Sequence, residues 1–312
     1  MGKPGFAALG LRAGGATFLA FVLFCGTGLT PTQAAEAAAP RPSDSPRPRA
    51  AQAPLPPLAA VSAPSGASRA AEPKSPAERP LRLFILSGAK EYEANASCAA
   101  LAERLRRRYG TRVTQVRSTD KATRLPSLEG LDEADVLLVF LRRNTLPPDQ
   151  LRTIQRWCEA GRPVVGVRTA SHAFQNWLAF DHEVLGGNYQ GHYGSGPVAR
   201  VRLVPEARGH PVLAGVEPFD SPYSLYKNTP IAKDATLLAT ATAGGRTEPV
   251  AWVRVHRGGR VFYTSLGGPK DFENPNFVRV LVNAVFWVAG RTPPSEGRSA
   301  SGPHASTSTE PE

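Results

Sequence analysis

The sequence lacks any apolar run long enough to cross a membrane as a helix. The best candidate, ATFLAFVLF at residues 16 to 24, is well short of the roughly 20 residues that a span needs. Lys3 and Arg12 precede this run and small residues follow it, so we interpret residues 1 to 37 as a secretory signal. We therefore predict export to the periplasm or the extracellular space, with an uncleaved signal anchor as the alternative.

Cysteine is scarce, with three in 312 residues. Cys25 could carry a lipid, but Phe24 precedes it where a lipoprotein signal would have a small residue. Cys98 and Cys158 fall on predicted helices that should pack on opposite faces of a right-handed doubly wound sheet. Export would permit a disulfide between them, whereas the predicted placement favours two buried free thiols.

Nucleic-acid modules and compact metal motifs are also missing. The chain is basic, with a net charge of +11, but its densest basic cluster, RLRRRYG at residues 104 to 110, is typical of a helix end stabilised by arginines. His172, His182 and His192 match no zinc signature such as His-Glu-x-x-His. We predict no nucleic-acid partner, no metal and no cofactor.

Two segments have compositions that disfavour folding. Residues 38 to 80 and 291 to 312 are rich in Pro, Ala and Ser, and such segments bury too little apolar surface to offset the entropy of ordering. We interpret them as a linker and a tail. Residues 81 to 290 then form one domain with a sizeable core.

Strand and helix patterns alternate through the first half of this domain. Strands are predicted at residues 81 to 88, 111 to 118, 134 to 141 and 163 to 168, with helices at 92 to 110 and 146 to 163. Later strand-like segments are VARVRLV, ATLLATATA, PVAWVRV and GRVFYTSLG, with a Gly-Gly hairpin between the last two and a closing helix in PNFVRVLVNAVFWVAG. The pattern predicts an α/β three-layer domain with a mostly parallel sheet.

Ligands of open α/β sheets bind at the carboxyl ends of the strands, which nominates candidate residues directly. These are Lys90, Glu91 and Tyr92 after the first strand, Arg142 and Arg143 after the third, and Arg168, Thr169, Ser171 and His172 after the fourth. Four of them are cations, so we expect a basic rim.

The segment GVRTA, residues 166 to 170, has the outline of a nucleophile elbow with Arg168 at the nucleophile position. Arginine stays protonated and cannot act as nucleophile or base. Its planar fork can hold a carboxylate, a phosphate or a sugar oxygen; the alternative is a buried arginine paired with an internal Asp or Glu. His172, four residues on, is either an acid or base or a structural residue, and we expect Ser171 to cap the following helix.

A glycine-rich loop, NYQGHYG at residues 188 to 194, presents Tyr189, His192 and Tyr193. Tyrosine rings stack on the apolar faces of sugars, and the glycines allow a tight loop over a ligand. Lys227 adds a cation from the second half. Glu91 can pair with Arg142 or Arg168, act as an acid or base, or lie in a solvated charge run.

The segments SGAKEYEA, GVRTASHAFQNW, FDHEVLGGNYQGHYG, EPVAWVRV and GGRVFYTSLGGPKDF together resemble the ThuA-like (trehalose utilisation) family of the class I glutamine amidotransferase-like fold. More narrowly, the chain is similar to the secreted members common in planctomycete-type bacteria. The resemblance spans residues 81 to 290 and implies a flavodoxin-like sheet, a pocket at the elbow and a role with sugars or oxidised keto sugars. Family members place His at the elbow and often Gly-His after the last strand, whereas this chain has Arg168 and Gly267-Gly268.

The elbow also lacks the cysteine of true amidotransferases, so we expect no glutaminase chemistry. One hypothesis is a sugar-acting hydrolase, lyase or isomerase in which His172 or His192 transfers protons with support from Glu91. The other is a non-catalytic carbohydrate-binding or scaffold domain. In both cases we expect a small carbohydrate-type ligand. The predicted binding residues are Arg168, Lys90, Tyr92, Arg142, Arg143, Thr169, Tyr189, Tyr193 and Lys227.

Overall fold

The computed structural model describes residues 79 to 194 and 196 to 292, so the predicted signal, most of the linker and nearly all of the tail lie outside it. The strands are β1 (Arg82–Gly88), β2 (Arg112–Arg117), β3 (Val136–Leu141), β4 (Val164–Val167), β5 (Ala199–Leu203), β6 (Phe219–Ser221), β7 (Thr236–Ala243), β8 (Arg246–His256) and β9 (Gly259–Thr264). The helices are α1 (Ala94–Tyr109), α2 (Pro148–Glu159), α3 (Pro269–Glu273) and α4 (Pro275–Val288). Within these described ranges, no helix is long and apolar enough to span a membrane.

All nine strands form one sheet in the order β2-β1-β3-β4-β9-β8-β7-β5-β6. The five neighbouring strands β2, β1, β3, β4 and β9 pair in parallel, as predicted for the first half of the domain. The neighbouring strands β9, β8, β7, β5 and β6 pair antiparallel, so the whole sheet is mixed rather than mostly parallel. The reason lies in the connections, because two-residue turns can join only antiparallel strands.

Two such turns connect β7 to β8 and β8 to β9. The first is Gly244-Gly245, with φ values of 56° and 75°, where no hairpin was predicted. The second is Arg257-Gly258, with φ values of 49° and 87°, so the predicted Gly-Gly hairpin is shifted by one residue and Gly259 already pairs with His256. Positive φ at both central residues matches the right-handed twist of the strands they join.

Helices cover both faces of the sheet. One hydrophobic cluster contains Cys98 of α1 and Leu281 of α4, and the other contains Ile154 and Cys158 of α2. The two thiols are free and lie on opposite faces, as the helix placement predicted. Burial raises the pKa of each thiol to about 12, so both are inert core residues.

At the edge formed by the amino ends of the parallel strands, Asp135 joins the two ends of the domain. Its carboxylate accepts hydrogen bonds from Arg79 Nη1 at 2.8 Å and from the main-chain N–H of Arg82 at 2.9 Å. Arg291 lies 3.6 Å from the same carboxylate and donates to the Arg79 carbonyl at 2.7 Å. Burial alone would raise the pKa of Asp135, but these bonds and charges outweigh it and lower the pKa below its usual value.

We expect Asp135→Asn to lower the free energy of unfolding by about 1 to 2 kcal/mol at neutral pH, because the arginines lose a partly buried countercharge. Because the folded pKa is depressed, the advantage of the wild type is present above the unfolded value of about 3.9 and is lost as the pH falls through the folded value. Urea unfolding from pH 7 to pH 3 measures both effects. Glu103→Gln on the exposed surface of α1 is the control, and equal losses in the two variants would contradict the assignment.

Candidate functional site

The chain turns sharply where β4 ends. Arg168 has a φ of 45° and opens a short 3-10 helix, Arg168–His172. Gly166 permits close packing beneath the turn, because a Cβ there would lie 2.9 Å from side-chain atoms of Leu185 and Tyr263. Tyr263 donates its hydroxyl to the Arg168 carbonyl at 2.7 Å, so the strained turn is held from below. We call β4 together with this helix the elbow.

Two further side chains of the elbow are committed to its own structure. Thr169 donates its hydroxyl to the Leu141 carbonyl at 2.7 Å and thereby ties the turn to β3. Ser171 does not cap a following helix, so that prediction is wrong. It lies in the last turn of a five-residue helix, with Oγ 3.4 Å from the Arg168 carbonyl and 3.1 Å from His172 Nδ1.

The Arg168 side chain is buried, with 1% of its surface exposed. Nη1 donates to the Ser265 carbonyl at 2.8 Å, and Nη2 lies 3.3 Å from both the carbonyl and the hydroxyl of Ser224. The guanidinium carbon lies 4.2, 5.5 and 4.7 Å from the ring centres of Tyr92, Tyr223 and Tyr226, which we call the tyrosine cage. A ligand can reach Arg168 only if this cage opens.

Gly267 and Gly268 close the cage from the loop after β9. A Cβ on Gly267 would lie 2.7 Å from Val167, and a Cβ on Gly268 would overlap the ring of Tyr223. Both main-chain N–H groups donate to Asp271 Oδ2 at 2.9 Å. Position 268 is where the family resemblance leads us to expect histidine, and Tyr223 fills the space that its side chain would need.

Two aromatic rings outside the cage, His172 and Tyr189, contact each other and the cage residue Tyr226. His172 stacks on Tyr189 with 4.5 Å between ring centres, and Tyr189 lies 4.6 Å from Tyr226. His172 is 9% exposed, Tyr189 is half-buried and Tyr226 is buried. The loop carrying His192 pairs with the segment of Tyr226 through an isolated bridge, which brings the His192 ring within 6.5 Å of Tyr226.

The two adjacent arginines after β3 have different surroundings. Arg142 pairs with Asp120 at 2.9 Å and with Glu91 at 3.1 Å, which selects Arg142 over Arg168 as the partner of Glu91. Glu91 also accepts a hydrogen bond from the Tyr92 hydroxyl at 3.1 Å. Arg143 is exposed, and its side chain makes no ion pair or hydrogen bond to another described residue.

Burial, followed by the charges of Arg143, Arg142, Arg168 and His192, lowers the pKa of the His172 imidazole to about 3. His172 is therefore neutral at physiological pH. It can exchange hydrogen bonds with a ligand, but it is not protonated and cannot serve as an acid from that form.

Three predicted residues lie apart from this arrangement. Lys90 lines a cavity of about 450 Å³ beside the first turn of α1, whose described walls include neither His172 nor Tyr189. Tyr193 donates to Glu248 at 2.8 Å, and the Lys227 ammonium lies 5.1 Å from the Tyr193 ring centre. This pair thus belongs to a separate polar cluster.

Sequence reasoning missed Asp181, which fixes the start of the glycine-rich loop. Its Oδ2 accepts the main-chain N–H of Tyr189 at 2.8 Å, and a Cβ on Gly187 would overlap the carboxylate. Burial raises the pKa of Asp181 to about 6, although the Tyr189 bond and His182 oppose the shift. The only signal in the sequence was an acidic residue next to Phe180 and ahead of the apolar pair Val184-Leu185.

Three or more His, Cys, Asp or Glu side chains able to hold a metal ion are grouped nowhere in the described ranges. The site that the structure does assemble combines a neutral histidine, a half-buried tyrosine ring and nearby arginines.

We expect Arg168→Met to lower the free energy of unfolding by about 2 to 4 kcal/mol, because the carbonyls of Ser265 and Ser224 lose a charged donor inside the protein. Arg143→Met, on the same edge of the sheet, is the matched control and should change the unfolding midpoint little. Urea unfolding followed by circular dichroism makes the comparison. Equal stability of the two variants would show that the buried guanidinium is not a structural cross-link.

We also expect the His172 ring to stay neutral from pH 8 down to pH 4, because burial and nearby cations disfavour the imidazolium. Nitrogen chemical shifts of the histidine rings report the protonation state, and His172→Ala assigns the signal. A midpoint near 6.5 would mean that the ring is open to water and free of the cations' influence.

The sequence profile of the ThuA family, described as trehalose utilisation, matches residues 82–288. A ThuA-like protein from Bacteroides uniformis superimposes with a TM-score of 0.53 at 20% identity, covering 70% of this chain and 95% of that chain. One from Parabacteroides merdae gives 0.52 at 16% identity, covering 69% and 92%. No curated protein matches. These two structural matches show the shared α/β fold, and the family description links the chain to carbohydrates. The profile covers most of the chain, which therefore belongs to the ThuA family.

Proposed function

We propose that this domain binds a sugar or an oxidised sugar derivative at the carboxyl edge of the sheet, beside the elbow. The observation that carries the proposal is the contact of His172 with Tyr189, beside Arg143, whose main-chain N–H donates to the His172 carbonyl and whose guanidinium has no partner among the described residues. An aromatic ring next to hydrogen-bonding groups suits a sugar, which has apolar faces and polar edges. Membership of a family described by trehalose utilisation supports the same class of ligand.

Each residue of the site would make a different contact with the ligand. The exposed part of Tyr189 would carry the apolar face of the ring, and the neutral imidazole of His172 would exchange a hydrogen bond with a hydroxyl. His192, which is exposed on the same loop, would contact the ligand from the solvent side. Arg168 would act indirectly, by holding Tyr92 and Tyr226 in place.

Two of the predicted acids or bases, His172 and Glu91, are poorly suited to proton transfer. A pKa of about 3 makes His172 a weak base, and Glu91 is already paired with Arg142. If the domain is an enzyme, His192 is the better candidate for the acid or base. The second candidate function, a non-catalytic carbohydrate-binding domain, is favoured by the burial of Arg168 at the nucleophile position. Neither function uses glutaminase chemistry.

We further propose that the protein works outside the cytoplasm, as a secreted member of the planctomycete type. Support comes from the signal-like residues 1 to 37 and from the family motifs.

We expect the purified full-length chain to bind monosaccharides or their 3-keto forms saturably, and Tyr189→Ala to weaken binding about tenfold or more, because an aromatic platform is worth on the order of 1 kcal/mol or more. Isothermal titration calorimetry measures the affinity, and product analysis of the same mixtures separates an enzyme from a binding domain. The matched control is Tyr193→Ala, which removes a tyrosine of the same loop from the separate cluster with Glu248. Equal losses in both variants, or no saturable binding by the wild type, would overturn the proposal.

A further inference from the structure

Arg143, whose main-chain N–H donates to the His172 carbonyl of the elbow, is a cation without a partner among the described residues. Asp120 and Glu91 both pair with Arg142, whereas the side chain of Arg143 contacts no described carboxylate. The rim therefore contains one neutralised and one available guanidinium, side by side in the sequence. Exposed arginines without a partner are common on protein surfaces, so what distinguishes Arg143 is its position beside the elbow.

The main chain of Arg143 is joined to the elbow. Arg143 has a φ of 55°, in the left-handed region that is unfavourable for a residue with a Cβ. Its N–H donates to the His172 carbonyl at 2.9 Å, and the N–H of Asn144 donates to the Ala173 carbonyl at 2.7 Å. Two hydrogen bonds thus join the loop after β3 to the elbow and hold the strained conformation.

The charges that act on His172 also have one sign. Besides burial, the influences on its imidazole come from Arg143, Arg142, Arg168 and His192, and all of them disfavour a positive charge. The same three arginines favour the charged form of the Tyr189 hydroxyl, although burial dominates there. The space above the His172–Tyr189 stack is therefore electropositive, and an anion would be favoured in it.

We propose that the ligand of the elbow site is an acidic sugar, a uronate or aldonate, whose carboxylate pairs with the guanidinium of Arg143 while its carbon skeleton lies against Tyr189. This inference rests on the proposed function and narrows it from carbohydrates in general to sugar acids. One free planar fork matches one carboxylate, which it can hold through two parallel hydrogen bonds. A phosphate dianion would require a second cation, and the neighbouring Arg142 is already paired with two acids.

The test is calorimetric titration of the full-length chain with matched pairs: glucuronate and glucose, galacturonate and galactose, gluconate and glucitol, with glucose 6-phosphate as a further arm. We expect at least one acid to bind ten times or more tightly than its neutral partner, and this preference to shrink as salt is added. Arg143→Ala should abolish the preference, so that the acid binds about tenfold more weakly than it does to the wild type and no more tightly than its neutral partner. Arg143→Lys should restore part of it, since the charge returns without the planar fork.

Arg208→Ala is the matched control, because Arg208 is an exposed arginine far along the chain, on the connection after β5. Its loss should leave the preference unchanged. Neutral sugars that bind as tightly as their acids, with Arg143→Ala silent, would overturn this inference and leave the carbohydrate site standing. Tightest binding of glucose 6-phosphate would replace the carboxylate by a phosphate. No binding by any of these ligands would overturn both proposals together.

Discussion

The guanidinium of Arg168 connects three segments that are distant in the sequence: the end of β4, the loop after β9 through Ser265, and the loop before β7 through Ser224. A charge this deeply buried is tolerated only while its donors keep their acceptors, so the three segments hold a fixed relative position. Tyr226 belongs to one of them and lies against Tyr189, which in turn stacks on His172. The accessible aromatic surface thus depends on a side chain that the solvent does not reach.

This arrangement changes what an elbow does. The strained turn at φ 45° usually displays a reactive side chain at the strand ends, whereas here it sends a cation into the interior. Gly268 and Tyr223 depend on each other, because a residue with a Cβ at position 268 would displace the ring. The groups left for a ligand are those just outside: His172, Tyr189 and Arg143.

The sequence allowed the first half of the sheet and the basic rim to be predicted, because β1, β3 and β4 are apolar runs and parallel strands bring their carboxyl ends to one edge. The three-residue strand β6 was missed because it is too short to show a period. Burial of Arg168 was one of the two alternatives, but with an internal Asp or Glu as its partner. Its main partners are instead main-chain carbonyls 97 and 56 residues away, which no residue type in the sequence indicates. Tyr193 and His192 are adjacent in the sequence but lie in different clusters. Their placement follows from the pairing of their loop with the segment around Tyr226, which the sequence did not predict.

The positive potential at the rim is sustained by an unequal distribution of acids. Asp120 and Glu91 both pair with Arg142 and neutralise that residue, whereas the charges that act on His172 are all those of cations. Arg168 adds charge from within, but its Nη groups are already bonded to carbonyls and its guanidinium lies inside the tyrosine cage. Among the described arginines that act on His172, Arg143 is the exposed one, so water can stabilise its charge. The left-handed backbone at Arg143 thus accompanies the placement of one solvent-exposed cation close to a neutral histidine.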